Sequence, residues 1–315
     1  MTRLLFILSC LIALHLNGAY VLTDQGLINT KRLAVYSCEE HYRIACDAFE
    51  RCDFKEAQEN FGIVSVNFPN SQLGIDSTFY SGVCLYELGE LDIANEELSE
   101  YLKRQSSPRY FQDTMSYKFC IANAFRDGAK RRFLGTKQLP KWASANTLSL
   151  KIYDEIIISM PCHDYAAHSL YCKGYMLWLK GEYQESIDCF QTLIRRFPKH
   201  ELAPECYLAI NRVYIEQCEW EFQNPDLLQL AEINCKRFKQ DYPRDERCIT
   251  AYEDFQRLKE TYANGLYKTG KFYEKQCESD AAIIYYQSAI KQFPDTQVAE
   301  KCRIKVSDLG GDETL

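Results

Sequence analysis

Residues 270–296 read GKFYEKQCESDAAIIYYQSAIKQFPDT, and this stretch decides the fold class. Its apolar residues recur every three or four positions, as on one face of an α-helix: Ala282, Tyr286, Ala289 and Phe293. Pro294 stops that helix because proline has no N–H to donate. Upstream, Gly270 allows two helices to cross closely, and Tyr286 fills the space between them. The stretch therefore predicts a pair of closely crossing helices.

The same order of small residue, small residue, aromatic residue and proline recurs along the chain. It is found at matching offsets in two further stretches: Gly174, Ser186, Phe190 and Pro198, and Ala45, Ala57, Phe61 and Pro69. Looser versions precede Pro108 (Gly82, Ala94 and Leu98) and Pro243 (Ala231, with Cys235 in the aromatic place). These prolines, with Pro161 and Pro294, lie 37 to 53 residues apart.

Recurrence at this spacing is typical of helical repeat arrays, and the residue order is that of the tetratricopeptide repeat, a helix–turn–helix of about 34 residues. No alternating pattern of useful length indicates a strand. The sequence predicts an all-α, tetratricopeptide-type α-solenoid of about five or six helix pairs.

Composition is compatible with such an array. Of 315 residues, 46% are hydrophobic, which is enough to bury a core between neighbouring repeats. The net charge of −7 argues against bulk nucleic-acid binding, which usually needs a basic surface. The 22 tyrosines and 17 phenylalanines suit aromatic residues between helices and a groove lined with rings.

The amino terminus carries an export signal. Arg3 precedes an apolar run over residues 4–16, which is shorter than the ~20 residues that a membrane-spanning helix needs. Two kinds of processing remain open. A peptidase could cut after Ala19, or Cys10 could be acylated, since Ile7-Leu8-Ser9-Cys10 resembles a lipobox.

Fifteen cysteines are spread along the chain, and fourteen remain if Cys10 is excluded. Disulfides are possible in an oxidising compartment, but the wide spacing favours buried cysteines that act as small apolar residues. The predicted organisation is a signal peptide (1–19), a linker (20–35), amino-terminal repeats (36–160) with a basic insertion (126–142), carboxy-terminal repeats (161–306) and a flexible tail (307–315).

The basic insertion is the main candidate for partner binding. It concentrates positive charge in an acidic chain, and its candidate residues are Lys130, Arg131, Arg132, Lys137 and Lys141. One interpretation is an ordinary solvated loop. The other is a surface for an acidic partner or for anionic lipid headgroups.

Catalytic and metal sites have little support in the sequence. A weak zinc candidate comprises Cys162, His163, His168 and Cys172, because His168 and Cys172 lie four residues apart on one helix face. The simpler interpretation is a polar turn after Pro161. No nucleophile elbow, phosphate loop or dinucleotide-binding glycine cluster is present. We therefore expect a non-catalytic protein without a cofactor.

The carboxy-terminal third resembles one family more specifically. The positions that carry the likeness are Tyr242-Pro243, Phe272-Tyr273, Ala281-Ala282 and Phe293-Pro294-Asp295-Thr296. At this spacing they resemble BamD, the tetratricopeptide lipoprotein family of the machine that inserts β-barrels into bacterial outer membranes. The resemblance implies a scaffold on the periplasmic face of the outer membrane, with a β-barrel assembly protein and unfolded outer-membrane proteins as partners. The family's Arg-Gly docking motif is replaced by Gln276-Cys277 here.

Two other interpretations share the repeat fold. One is a periplasmic adaptor for another envelope process, such as peptidoglycan or cell-division coordination. The other is a cytosolic co-chaperone that clamps peptide carboxylates, for which the sequence offers only scattered residues such as Asn123, Asn211 and Arg212.

Overall fold

The computed structural model describes residues 20–23, 26–133, 140–220 and 224–311. The predicted signal (1–19), Cys10 and Lys137 lie outside these ranges. Contacts divide the chain into two compact units, residues 1–152 and 153–315. None of the helices in the described ranges is both long and apolar enough to cross a membrane.

Unit 1 begins with β1 (Tyr20–Thr23) and β2 (Gly26–Asn29). Its helices are α1 (Cys38–Glu50), α2 (Phe54–Asn67), α3 (Gln72–Glu87), α4 (Leu91–Arg104) and α5 (Phe111–Arg126). After α5 come β3 (Lys130–Arg132) and β4 (Lys141–Ser144), and then α6 (Asn146–Ser159), which extends across the division into unit 2.

The helices of unit 2 are α7 (Asp164–Leu179), α8 (Tyr183–Arg196), α9 (Leu202–Trp220), α10 (Pro225–Asp241), α11 (Arg247–Lys275), α12 (Ser279–Gln292) and α13 (Gln297–Asp308). The helices from α1 to α5 pack consecutively, as do those from α7 to α13, with α9 also against α7 and α11. Between α5 and α6, Oγ of Ser149 donates to the carbonyl of Ala122 at 2.8 Å. Over the described residues this gives six helix pairs followed by α13. The predicted all-α, tetratricopeptide-type helical repeat is confirmed.

The structure differs from the sequence prediction in its short strands. β1 and β2 form an antiparallel ladder inside the predicted linker, and β3 and β4 form another inside the basic insertion. Each strand has only three or four residues. A period of two cannot be recognised over so short a segment, and therefore these ladders could not be predicted.

The predicted close crossings are present in the structure. A Cβ atom placed on Gly270 would lie 2.5 Å from Cε1 of Tyr286, and one on Gly174 would lie 2.8 Å from Cε1 of Phe190. Both aromatic side chains are fully buried. At these two crossings the helices approach so closely that only glycine leaves room for the ring.

The core is distributed among the repeats. Phe61 packs with Ala45 and Ala57 in a cluster of unit 1, whereas Tyr286 packs with Ala282 in a separate cluster of unit 2. Each aromatic residue therefore stabilises its own helix pair and the adjoining one, as expected of a repeat protein.

Replacing Gly270 with alanine is expected to lower the free energy of unfolding by about 1–3 kcal/mol, because the added methyl group overlaps the ring of Tyr286. The control is Gly62→Ala in α2, where a Cβ would meet only Nε2 of Gln58 at 3.6 Å. That change should leave stability unchanged or raise it by up to ~1 kcal/mol, since alanine favours helix. Urea unfolding followed by circular dichroism measures both, and equal effects of the two substitutions would contradict the close crossing.

The fourteen cysteines from Cys38 to Cys302 are free thiols, and several lie in the helix interfaces. Burial raises the pKa of the Cys84 thiol to about 12 and that of the Cys189 and Cys302 thiols to about 11. These thiols are protonated at neutral pH and behave as small apolar groups, in agreement with the interpretation favoured by the sequence.

Candidate partner-binding sites

The basic insertion is a hairpin fixed to the turn between α3 and α4. The backbone N–H of Arg132 donates to Oδ2 of Asp92 at 2.8 Å, and its Nη1 donates to Oδ1 at 2.8 Å. Arg132 also pairs with Glu90. Lys141 contacts the same turn, donating from Nζ to the carbonyl of Gly89 at 2.8 Å and lying 3.1 Å from Oε2 of Glu90.

These contacts favour the charged form of Glu90. Burial alone would raise the pKa of Glu90, but hydrogen bonds from Arg132 and Lys141 outweigh it and lower that pKa. Arg132 itself is only 9% exposed. Of the predicted partner-binding residues, Arg132 and Lys141 are therefore engaged in holding the hairpin in place.

Other described residues of the hairpin are more exposed. Lys130 is exposed, and Arg131 donates from Nε to the carbonyl of Ser144 at 3.2 Å. Next to them lies an aromatic pair that sequence reasoning missed. Phe133 and Trp142 are 43% and 64% exposed, with ring centroids 5.2 Å apart. The presence of Trp142 within the basic insertion could have indicated this pair from the sequence.

The zinc candidate is not assembled. Among the residues that the structure describes, the cluster with metal-ligand spacing is Asp164, His168 and His200, whose ligand atoms lie within 4.8 Å of one another. It includes His168 but not Cys162, His163 or Cys172. Cys172 is buried in α7 and Cys162 is exposed before it.

Helix capping accounts for two of the histidines. Nδ1 of His163 accepts the N–H of Tyr165 at 3.2 Å, and Nδ1 of His200 accepts the N–H of Leu202 at 3.1 Å. His200 must then carry its proton on Nε2, which lies 2.7 Å from Oδ1 of Asp164. If a metal ion bound Nε2, the proton would lie on Nδ1, where it would face the N–H of Leu202 and remove the cap. This geometry therefore favours a helix cap over a metal site.

The caps occupy one register of the repeat. The residue two positions after the repeat proline accepts a backbone N–H of the following helix in each of these cases: Ser71, His163, His200, Asp245 and Thr296. The polar turn after Pro161 is therefore one example of a helix start that recurs in the repeats.

The turn between α11 and α12 has cysteine where two other helix–helix turns have glycine. Cys277 has φ 62°, close to the 71° of Gly89 and the 81° of Gly181 in corresponding turns. This left-handed backbone favours glycine, yet the helix pair forms with cysteine there.

A continuous polar face runs over α7, α9 and α11 of unit 2. Nε1 of Trp178 donates to Oε2 of Glu216, which is one turn beyond Arg212 on α9. Nε of Arg212 lies 3.9 Å from Oδ2 of Asp254 on α11, and Nη1 of Arg257 lies 3.5 Å from Oδ1. We call these five residues the α7–α9–α11 face.

Asp254 is the unusual member of this face. Its side chain is only 7% exposed, whereas those of Arg212 and Arg257 are 53% and 72% exposed. Within the described residues, its Oδ2 has no hydrogen-bond partner. Burial raises the pKa of Asp254 despite both arginines. The buried carboxylate holds two exposed guanidinium groups beside each other, and these donors are suited to a ligand that offers acceptors.

Replacing Asp254 with asparagine is expected to leave the free energy of unfolding at pH 7 unchanged or to raise it by up to about 1 kcal/mol. Because the folded pKa is raised, ionised Asp254 costs stability, and this cost develops as the pH rises above the usual value of 3.8. Asp92→Asn is the contrasting control, since it removes a charge that Arg132 pairs fully, and it should destabilise by about 1.5–3 kcal/mol. Calorimetry between pH 4 and 8 measures both, and a large loss for Asp254→Asn would refute the argument.

Comparison with known proteins agrees with the fold. Residues 169–200 and 264–296 match the family model of the tetratricopeptide repeat. No curated protein matches the chain in sequence. Both matched segments contain the Gly–aromatic crossing described above, at Gly174 and Phe190 and at Gly270 and Tyr286.

Solved structures with some similarity to this chain include three proteins of low sequence identity. A tetratricopeptide repeat protein from Parabacteroides merdae has 16% identity and a TM-score of 0.37, covering 87% of this chain and 99% of its own. MamA from Desulfovibrio magneticus has 12% identity and a TM-score of 0.36, covering 72% and 99%. PilW, described as a type IV pilus biogenesis factor, has 12% identity and a TM-score of 0.28, covering 85% and 99%.

The fold and the matched repeats define the class of protein. It is a tetratricopeptide-type helical repeat protein, and this fold is typically a non-catalytic scaffold that binds other proteins.

Proposed function

We propose that this protein is a non-catalytic scaffold of the bacterial cell envelope that binds extended protein segments for outer-membrane protein assembly. The observation that carries the proposal is the α7–α9–α11 face, on which Arg212 and Arg257 are exposed beside the buried carboxylate of Asp254. An extended polypeptide presents C=O acceptors, to which these guanidinium groups can donate. The face lies on rigid helices, which limits the reorganisation that binding requires.

The cellular role and the subcellular localisation are inferred from the sequence. The apolar run over residues 4–16 supports export, and the BamD-like positions around Tyr242-Pro243 and Phe293-Pro294 support the assembly machine. On this proposal the partners are a β-barrel assembly protein and unfolded outer-membrane proteins. The protein would lie at the periplasmic face of the outer membrane, attached peripherally or through a lipid on Cys10.

A second candidate is a periplasmic adaptor for another envelope process. The observation that favours it is Gln276-Cys277, which lacks the arginine that the BamD family uses for docking. Such an adaptor would keep the same repeat fold and the same export signal but contact different subunits.

An affinity pull-down from solubilised envelopes separates these functions. The full chain is compared with Arg212→Glu/Arg257→Glu and with the control Lys239→Glu/Lys268→Glu, which changes the charge equally at two other exposed positions of unit 2. We expect the wild type and the control to retain a large β-barrel assembly protein and unfolded outer-membrane proteins, and the arginine variant to lose the unfolded clients.

Other outcomes would decide against the proposal. Recovery of peptidoglycan or division proteins in place of the β-barrel protein would support the adaptor. Equal recovery by the arginine variant would exclude the α7–α9–α11 face as the client site.

A further inference from the structure

We propose that the hairpin of unit 1 binds the surface of an anionic phospholipid bilayer. The surface concerned, which we call the hairpin surface, comprises Lys130, Arg131, Phe133 and Trp142. The inference does not depend on which proteins the scaffold binds.

The aromatic pair supplies the first argument. Trp142 and Phe133 contact each other but remain 64% and 43% exposed. The hairpin that carries them is fixed through Arg132, whose backbone and side chain both bind Asp92. A firmly attached hairpin that presents two exposed rings is suited to the bilayer interface, where tryptophan places its apolar body among lipids and its N–H in the headgroup layer.

Charge supplies the second argument. The chain carries a net charge of −7, so most of its surface is repelled by an anionic membrane. Lys130 and Arg131 give the hairpin surface the opposite charge, whereas Arg132 and Lys141 are compensated by Glu90 and Asp92. Each cation near an anionic membrane surface strengthens binding about fivefold.

The two arguments together favour a bilayer over an acidic protein. Cations alone would suit either partner, but the exposed rings need an apolar phase next to the negative charges, and a phospholipid bilayer supplies both. Two rings and two cations give modest affinity, so we expect the hairpin to supplement another attachment to the membrane and to orient unit 1 on it.

The test is co-sedimentation of the full chain with vesicles of phosphatidylglycerol and phosphatidylcholine at low salt. Two variants probe the hairpin surface: Phe133→Ala/Trp142→Ala and Lys130→Glu/Arg131→Glu. Their controls in unit 2 are Tyr252→Ala, which removes a ring that is 59% exposed, and Lys239→Glu/Lys268→Glu, which matches the charge change. The apolar run over residues 4–16 is common to all of these chains, so differences between variants report on the hairpin surface.

We expect the aromatic variant to bind about tenfold more weakly and the charge variant at least about 25-fold more weakly, with both controls unchanged. Raising the salt concentration should weaken the wild type and leave the charge variant nearly unaffected. Brominated lipids should quench the fluorescence of the wild type more than that of Trp142→Phe, because only the wild type has a fluorescent indole at this position.

Several results would overturn the proposal. One is equal vesicle binding by the aromatic variant and the wild type. Another is binding that inorganic phosphate displaces and that does not depend on Phe133 and Trp142, which would indicate a phosphate site. A third is binding to an acidic peptide such as polyglutamate without any binding to anionic vesicles, which would assign the hairpin surface to an acidic protein.

Discussion

Replacing Arg132 with methionine is expected to lower the free energy of unfolding of unit 1 by about 3–5 kcal/mol. The reason is that Asp92, 8% exposed at its side chain, would keep its charge in a buried site after losing the guanidinium at 2.8 Å. A surface ion pair would be worth far less, since water would replace the lost partner. Urea unfolding gives the magnitude, and amide hydrogen exchange of β3 and β4 shows whether the hairpin detaches.

The control lies two residues away. Lys130→Met removes a positive charge from the exposed start of the same hairpin and should change stability by less than about 0.5 kcal/mol. The double change Arg132→Met/Asp92→Asn should recover part of the loss, because the neutral amide leaves no unpaired charge and its oxygen can still accept the backbone N–H of residue 132. Equal stability of the two single variants would refute the anchoring role of Arg132.

The same contacts predict a pH dependence. Since hydrogen bonds from Arg132 and Lys141 lower the pKa of Glu90, this residue contributes stability above its usual value of 4.5. That contribution is lost as the pH falls through the lowered pKa of the folded state. Arg132→Met should therefore lower the stability of unit 1 at neutral pH and also make that stability fall less steeply as the pH is lowered.

Phe190→Ala is expected to destabilise unit 2 by about 3–5 kcal/mol. Phe190 is fully buried, and its ring lies against Gly174, so truncation leaves a cavity between two helices that cannot move closer. Phe272→Ala is the matched control, since that ring is 58% exposed on α11, and it should cost less than about 0.5 kcal/mol. Thermal and urea unfolding measure both changes.

A double-mutant cycle tests the crossing itself. Gly174→Ala alone should destabilise by overpacking, since its Cβ would lie 2.8 Å from the ring of Phe190. Phe190→Ala removes the ring and leaves room for that methyl group. The combined loss should therefore be smaller than the sum of the single losses by about 0.5–3 kcal/mol, whereas additive losses would contradict the contact.

The helix pairs could be predicted because their signals are local. Gly270, Tyr286 and Pro294 each report a steric requirement within one helix pair, and the same offsets recur around Gly174 and Phe190. The short ladders could not be predicted, because three or four residues carry no recognisable period. The α7–α9–α11 face was missed for a different reason. Arg212 on α9 and Asp254 on α11 are two helices apart in the chain, so only folding brings them together.

The sequence by itself determined the repeat architecture, since helix periodicity, proline stops and glycine crossings depend on residues within a single pair of helices. The tertiary structure alone decided what the polar residues do. Arg132 looked available for a partner until packing placed it against Asp92, which is 40 residues earlier, and His200 proved to be a helix cap beside Asp164. Burial and ion pairing depend on which surfaces meet, and distant parts of a chain meet only when it folds.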